Sequence, residues 1–501
     1  MLANRLFRSG LTLLAVFAVV WIATIAWWQG INRMPTTADI VTCLVLLPLG
    51  MVIGYRVIKR ALDGIRTNVA AGRGLAAAAT TAPAATDSAA TAADPQDTSR
   101  HWRAVLLGSA LRTIAGADAE VLIKAAQTYS QPEMTDVQGF GSPIFAAPVE
   151  GLDIDDLRRK LAQRHPGLDW TNESLRALTL CADVVDDLAA QAAASQTEHA
   201  SADPARLIVT ALLPRDWTPQ QQAAADDWLR QRIRPHWPAE RVTLEPIAAK
   251  GDADALLLLD RATLALNRPS EERTLRMVVV ADSLIGTHAV EQLTQQSQLY
   301  DGDQNKHGRL PGEAAAGVLL CSPADPLAQG TQASAPAEDE APAAPLVLTR
   351  ASVARLGAPT TDSGRPDTAA LGGVVGQVLE TLVAAKPNAA NDSTKGKPAD
   401  DAAPASPPQI ADIAAIVADT GMHPVRTTEV ARVVAERLPA LDAAADVLSL
   451  GCPCGYLGAA GALLPVALAH RLSLQTGRPV LALTANDVQQ RGAIAVAPSL
   501  T

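Results

Sequence analysis

The chain of 501 residues carries five cysteines and eight histidines, few of them placed to react together. Cys452-Pro453-Cys454 is the one close pair of thiols, and with His423 upstream it has the residue types of a redox couple or half a metal site. Zinc signatures space their paired cysteines by two residues or more and need a second pair, which this chain lacks. Free Cys is among the most buried residue types, so a packing role suits Cys452 and Cys454 better. Cys181, inside the apolar stretch LRALTLCADVV, reads as core for the same reason. Asp282, Ser283 and His288 have the types of a hydrolytic triad, but neighbours in sequence across one turn do not converge as a nucleophile and its base must. No pattern of residues calls for a metal or a cofactor.

Strands and helices alternate along the chain, as an α/β fold with a parallel or mixed sheet requires. Short Val/Leu-rich runs at Leu207–Leu212, Met277–Ala281, Gly317–Leu320, Asp446–Leu450, Val480–Leu483 and Ile494–Ala497 read as strands. Ala/Leu-rich stretches at Thr218–Ile233, Asp252–Leu266, Pro366–Ala385, Thr427–Leu438 and Gly458–Leu474 read as helices. Hydrophobic residues make up 48% of the chain and charged ones 19%, enough to build a large core. The net charge of −10 leaves no basic stripe to neutralise phosphates, so nucleic acid is excluded as a partner.

The first sixty-six residues read as a membrane anchor. Leu11–Trp28 has no charge, and Ile40–Tyr55, extendable to Ile58, is a second apolar run. About 20 residues cross a bilayer core as a helix, so both runs reach the lower limit of a span. Trp27, Trp28 and Tyr55 suit the lipid boundary, and no small-x-small cleavage site follows the first run. Arg5 and Arg8 precede the first run, Arg56, Lys59, Arg60 and Arg66 follow the second, and the loop between has only Arg33. The positive-inside rule then puts both ends on the cytoplasmic side of a bacterial inner membrane. Scattered cysteines agree with a reducing compartment for the rest. Residues 67–100 form an Ala/Thr/Pro tract too poor in apolar side chains to fold, hence a tether. Similar tracts at 323–345 and 386–409 read as disordered insertions in a folded domain spanning 101–501.

Three stretches carry a family resemblance. MVVVADSLIGTHAVEQLTQQSQLYDGDQNKHGRLPGEAAAGVLL (Met277–Leu320) is similar to the ketoacyl synthase segment in which a strand ends in G-x-D-S-L and a G-x-x-P-G-E loop enters the next strand. Thr360–Leu382 resembles that family's Ser-Gly-Arg-Pro stretch. Thr420–Pro498, with HPVRTTEVARVVAERL, GYLGAAGALLPVALAHRL and RPVLALTANDVQQRGAIAV, resembles its Glu-bearing helix, its G-H-x-x-G-A-A-G loop and its closing strands. Ala147–Asn267 is the candidate for the first half. The resemblance implies a thiolase-like duplicated fold, layered α/β/α/β/α, and a homodimer. It also implies an active-site Cys near Gly251–Asp252–Ala253, one His near Ala418–Asp419 and another at Tyr456. None of these positions holds the expected residue. On the same resemblance Asp282 and Ser283 form a turn, and Glu313 and Glu429 are interior polar groups. Gly312 and Gly308, beside Pro311, are expected to need positive φ, and Gly455, Gly458 and Gly461 to let a helix N-terminus pack closely.

A nucleophilic Cys at a helix N-terminus and two His donors are what condensation requires. Their absence makes the expected protein a non-catalytic ketosynthase-like binding or scaffold module at the inner membrane. Its candidate partners are a second copy, another protein or an acyl-carrier protein. The chain is similar in plan to ketosynthase-like, membrane-tethered proteins of envelope secretion machinery, type VI secretion included. A sensor of acyl thioesters and an active ketosynthase of lipid metabolism are the other readings.

Overall fold

The computed structural model of the chain describes residues 99–137, 140–198, 205–302, 304–330, 344–356, 366, 368–383, 412–421 and 423–499. The spans expected at 11–28 and 40–58, nearly all of the tether, and the insertion at 386–409 lie outside these residues. Among the described residues no helix is long and apolar enough to cross a membrane.

The first half of the fold runs β1 (Ala104–Arg112), α1 (Ala119–Gln127), a small hairpin of β2 (Met134–Thr135) and β3 (Ile144–Phe145), α2 (Ile154–Arg164) and α3 (Asn172–Glu198). It continues with β4 (Arg206–Leu213), α4 (Pro219–Ile233), β5 (Val242–Ala248), α5 (Asp254–Leu266), β6 (Thr274–Ser283), α6 (Thr287–Gln295), β7 (Glu313–Cys321) and α7 (Pro326–Gly330). The second half runs β8 (Leu346–Leu348), β9 (Ser352–Arg355), α8 (Ala369–Val383), β10 (Ala415–Ala418), α9 (Pro424–Arg437) and β11 (Val447–Ser449). It ends with α10 (Gly451–Cys454), α11 (Ala460–Thr476), β12 (Val480–Thr484) and β13 (Gln490–Pro498).

The halves repeat one topology. The first sheet is ordered β5-β4-β6-β7-β1 and the second β11-β10-β12-β13-β8. With the β2–β3 hairpin and β9, which pairs with β13, left aside, the remaining five strands of each half read third-second-fourth-fifth-first. In both, the second, third and fourth strands are parallel and the fifth is antiparallel to its neighbours. The two sheets join edge to edge, β1 pairing β8 through Ala104↔Leu348 and Val105↔Val347.

Three separate apolar cores fix the layering. One lies between the sheets and takes side chains from α5 and α11 together with the inner faces of both sheets. A second packs α3 and α4 on the outer face of the first sheet, and a third packs α8 and α9 on the outer face of the second. Helix, sheet, helix, sheet, helix is therefore the order of layers, as expected. The middle position explains the composition of α11: every residue from Ala460 to Ala469 is buried, so Ala, Leu, Gly and Val are needed all round. Burying each of Leu463, Leu464 and Leu468 completely is worth about 1.5–3 kcal/mol.

Local signals set the helix ends. Thr218 and Gln221 cap α4 reciprocally with Pro219 in its first turn, and Gly477 in the left-handed region closes α11. One expected boundary differs. Residues 323–330 of the insertion read over 323–345 belong to the fold, because they carry α7: Asp325 pairs with Arg273 at 2.9 Å and Leu327 is buried. An apolar Leu and an acid facing an Arg outweigh the Ala/Pro composition around them.

Candidate functional site

Each half aims the carboxyl ends of its three parallel strands at the middle of the molecule, where such sheets leave a crevice. The ends of β4, β5 and β6 open into a cavity of about 320 Å³ lined by Asp216, Asp252, Asp282, Glu173 and Arg215, among others. The ends of β10, β11 and β12 open into a second, of about 310 Å³. Arg309 and Tyr456 line both. The Arg309 guanidinium stacks 4.1 Å from the Tyr456 ring centroid, so this pair forms the partition between the two cavities.

Two of the residues expected in the catalytic positions, Asp252 and Tyr456, meet at this partition. Asp252 precedes the first turn of α5 and is buried, and the Tyr456 hydroxyl donates to its Oδ2 at 2.7 Å across 204 positions of sequence. The Asp252 backbone N–H donates to Asp487 Oδ2 at 3.1 Å, and Ala253 N–H to Gln490 Oε1 at 3.2 Å. Ala253 itself is wholly buried and caps α5 without a side-chain bond. Asp419, one residue beyond β10, accepts from the backbone N–H groups of Ala485 and Asn486 at 2.8 and 3.1 Å. Burial pushes the Asp419 carboxyl up to about 7 despite these donors, and the charge of Asp252 adds to the rise. Burial likewise raises Asp252, against the pull of the Tyr456 bond, and holds the Tyr456 phenol well above its usual range, so Tyr456 stays the donor.

The motif residues around the site are structural pins. Asp282 ends β6 and accepts from Ala459 N–H at 3.1 Å, tying the first sheet to the start of α11, and burial pushes it up to about 7. Ser283 donates from its hydroxyl to Glu313 Oε2 at 2.7 Å. Glu313, wholly buried at the start of β7, also accepts from Val149 N–H at 2.6 Å and from Arg176 at 2.5–3.1 Å. Ser283 Oγ also accepts from Ile285 N–H at 3.2 Å, and Asp282 Oδ1 from Ser283 N–H at 3.0 Å, so the two residues both hold the expected local turn and bridge elements. Glu429 holds Arg491 through two bonds of 2.7 and 3.0 Å, with Arg426 3.8 Å away.

The glycines divide into three cases. Gly455 and Gly458 have φ of +71° and +52°. Gly312 and Gly308 do not have the positive φ expected of them. Their demand is space: a Cβ on Gly312 would collide with the Cys454 carbonyl oxygen, and one on Gly308 would lie 2.5 Å from the Leu299 carbonyl oxygen. Gly461 meets only ordinary contacts, beginning at 3.7 Å, and imposes no such demand. Cys452 and Cys454 are buried in α10, and burial pushes the Cys454 thiol up to about 12. No cluster of metal-ligating side chains occurs among the described residues.

No protein-family model and no curated protein matches the chain. Solved structures do. The ketosynthase from module 6 of the bacillaene synthase of Bacillus subtilis 168 superposes with a TM-score of 0.51 at 12% identity, over 80% of this chain and 72% of that one. An oxazolomycin ketosynthase domain of Streptomyces albus JA3453 gives 0.50 at 13% identity, over 79% and 75%. The fold is that of a ketosynthase. Identities this low establish the fold alone, and the chemistry rests on the residues of this chain. Sequence reasoning singled out Asp252, Asp419 and Tyr456 but passed over Arg309 and Asp487, which hold two of them from outside. The run G-R-L-P-G, with an arginine inside a motif loop that faces the interior, was the signal for Arg309.

Proposed function

We propose that this chain is a ketosynthase-fold protein that does not catalyse condensation and serves as a binding or scaffold module. The observation that carries the reading is the bond between Tyr456 and Asp252 at the head of α5. A condensing enzyme needs a thiolate there, favoured by the helix dipole. Asp252 is instead buried and raised toward its neutral form, with a phenol closing it off. Asp419 and Tyr456 stand where the resemblance asks for imidazole donors, and neither supplies one. The nearest thiol in the same loop, Cys454, is held un-ionised by burial.

The same proposal places two spans at 11–28 and 40–58, with the folded part in the cytoplasm. It also takes the folded part to pair as a homodimer, and an envelope assembly such as type VI secretion to be its setting. The charge count on either side of the spans supports the topology, and the resemblance supports the rest. An acyl-thioester or acyl-carrier sensor is the second reading, favoured by the cavity that reaches Asp252 from the first half. Carbon dioxide release from a malonyl thioester tests the absence of catalysis. The expected rate equals that of the thioester in buffer, and a rate proportional to protein concentration sinks the proposal.

A further inference from the structure

The cavity at the ends of β4, β5 and β6 holds more negative groups than positive ones. Glu173, Asp216, Asp252 and Asp282 line it against Arg215 and Arg309, with His288 3.7 Å from Glu173. The charges of both arginines reach Asp252, which therefore has its counter-charge from a distance. Asp282 is placed differently. Its oxygens accept from the backbone N–H groups of Ser283 and Ala459, and the strongest charges acting on it are those of Asp252 and Asp216. With both arginines counted, the lining keeps one carboxylate in excess when His288 is protonated and two when it is neutral.

A second feature points into the same space. Asp252 is 4% exposed, and its Oδ2 is taken by the Tyr456 hydroxyl. Its Oδ1 has no donor among the described residues and is not sealed off by protein, so it opens on the cavity that Asp252 lines. A carboxylate oxygen this deep is costly to leave without a partner. Among the described residues no three acidic or other ligating groups come close enough to share a metal ion. Trp217, Leu284 and Leu293 add apolar wall, which suits hydrocarbon better than a hydrated ion. A volume of about 320 Å³ is at the small end of ligand pockets, which run from about 300 to 1,000 Å³.

We propose that this first-half cavity binds a small organic cation, an alkyl amine or diamine, with its ammonium group on Asp252 Oδ1 and within the field of Asp282 and Asp216. An ammonium group supplies the donor that Oδ1 lacks and the positive charge that the lining lacks, while its carbon chain lies along the apolar wall. A neutral acyl chain would supply neither. The inference rests on reading the chain as a binder rather than a catalyst.

Calorimetric titration of the full-length protein in detergent with butylamine, putrescine and butanol tests it, in an amine-free buffer with sodium chloride at matched ionic strength as the blank. Saturable binding of an amine is expected, and none of butanol. Asp252→Asn should weaken it about tenfold or more, as loss of a charged hydrogen-bond partner predicts, while the amide oxygen still accepts from Tyr456. Asp216→Asn, at an exposed side chain, should weaken it about twofold or more and serves if the Asp252 variant does not fold. His307→Gln, in the second cavity, should leave it unchanged. Tighter putrescine binding indicates a diamine and tighter butylamine binding a monoamine, and both support the site. No saturable heat with either amine, butanol binding as tightly as butylamine, or amine binding indifferent to both aspartate variants overturns it. Turnover of a malonyl thioester would overturn the non-catalytic reading, whereas absent amine binding without turnover removes this inference alone.

Discussion

Replacing Asp419 by Asn removes a carboxyl from the interior while keeping an oxygen for the Ala485 and Asn486 N–H groups. Burial raises this carboxyl from 3.8 to about 7 in the folded protein. A raised acid binds its proton more tightly folded than unfolded. Its contribution to stability is therefore full below about pH 3.8 and is lost as pH rises toward 7. At about 1.4 kcal/mol per pH unit, that interval amounts to about 4 kcal/mol. Between pH 5 and pH 8 the wild type should fall by about 2–3 kcal/mol relative to Asp419→Asn, since the amide does not titrate. Groups that do not interact with Asp419 titrate in both proteins and cancel in the difference. Guanidinium unfolding followed by tryptophan fluorescence at both pH values measures it. Curves that stay parallel from pH 5 to pH 8 would show that burial does not govern this carboxyl, and would refute the reasoning.

Two further substitutions test the packing around the site. Glu429→Gln leaves Arg491 and Arg426 buried without their shared carboxylate, and should cost about 3–5 kcal/mol in denaturant unfolding. Gly312→Ala drives a Cβ into the Cys454 carbonyl oxygen and should lower stability by about 1–3 kcal/mol or more. Gly461→Ala, inside α11 with ordinary contacts, should change it by less than about 1 kcal/mol and in the stabilising direction. Equal melting temperatures for the two glycine variants would remove the distinction between them.

Much of the fold is legible in the chain because local pattern and tertiary demand agree. Helices α4, α5, α8, α9 and α11 and strands β4, β6, β7, β12 and β13 lie where the Ala/Leu-rich stretches and Val/Leu-rich runs put them. β1 carries no such mark: AVLLGSALR mixes Gly, Ser and Arg into the run. It becomes a strand because it closes the first sheet against β7 and joins β8. β5 is hidden for another reason: Glu245 and Pro246 break the apolar run, which an edge strand can accept. At the site, resemblance located Asp252, Asp419 and Tyr456, but no spacing in the sequence predicts a bond between residues 252 and 456. That contact exists because the duplicated sheets face their strand ends toward one another. The second cavity was equally hidden, since its arginines stand more than a hundred residues apart, Arg309 in a loop and Arg426 in the first turn of α9. The sense of positive φ at Gly308 and Gly312 was misplaced because close approach and left-handed backbone both select glycine.

The claim that the ketosynthase fold here has lost its nucleophile is tested most directly by intact-mass spectrometry after incubating the purified protein with an acyl-carrier thioester and with acyl coenzyme A. Asp252 stands in place of a thiol at the head of α5 and burial holds the Cys454 thiol un-ionised, so the predicted spectrum shows the unmodified mass alone. An acyl adduct mapped to Cys181, Cys452, Cys454 or Asp252 would contradict the account.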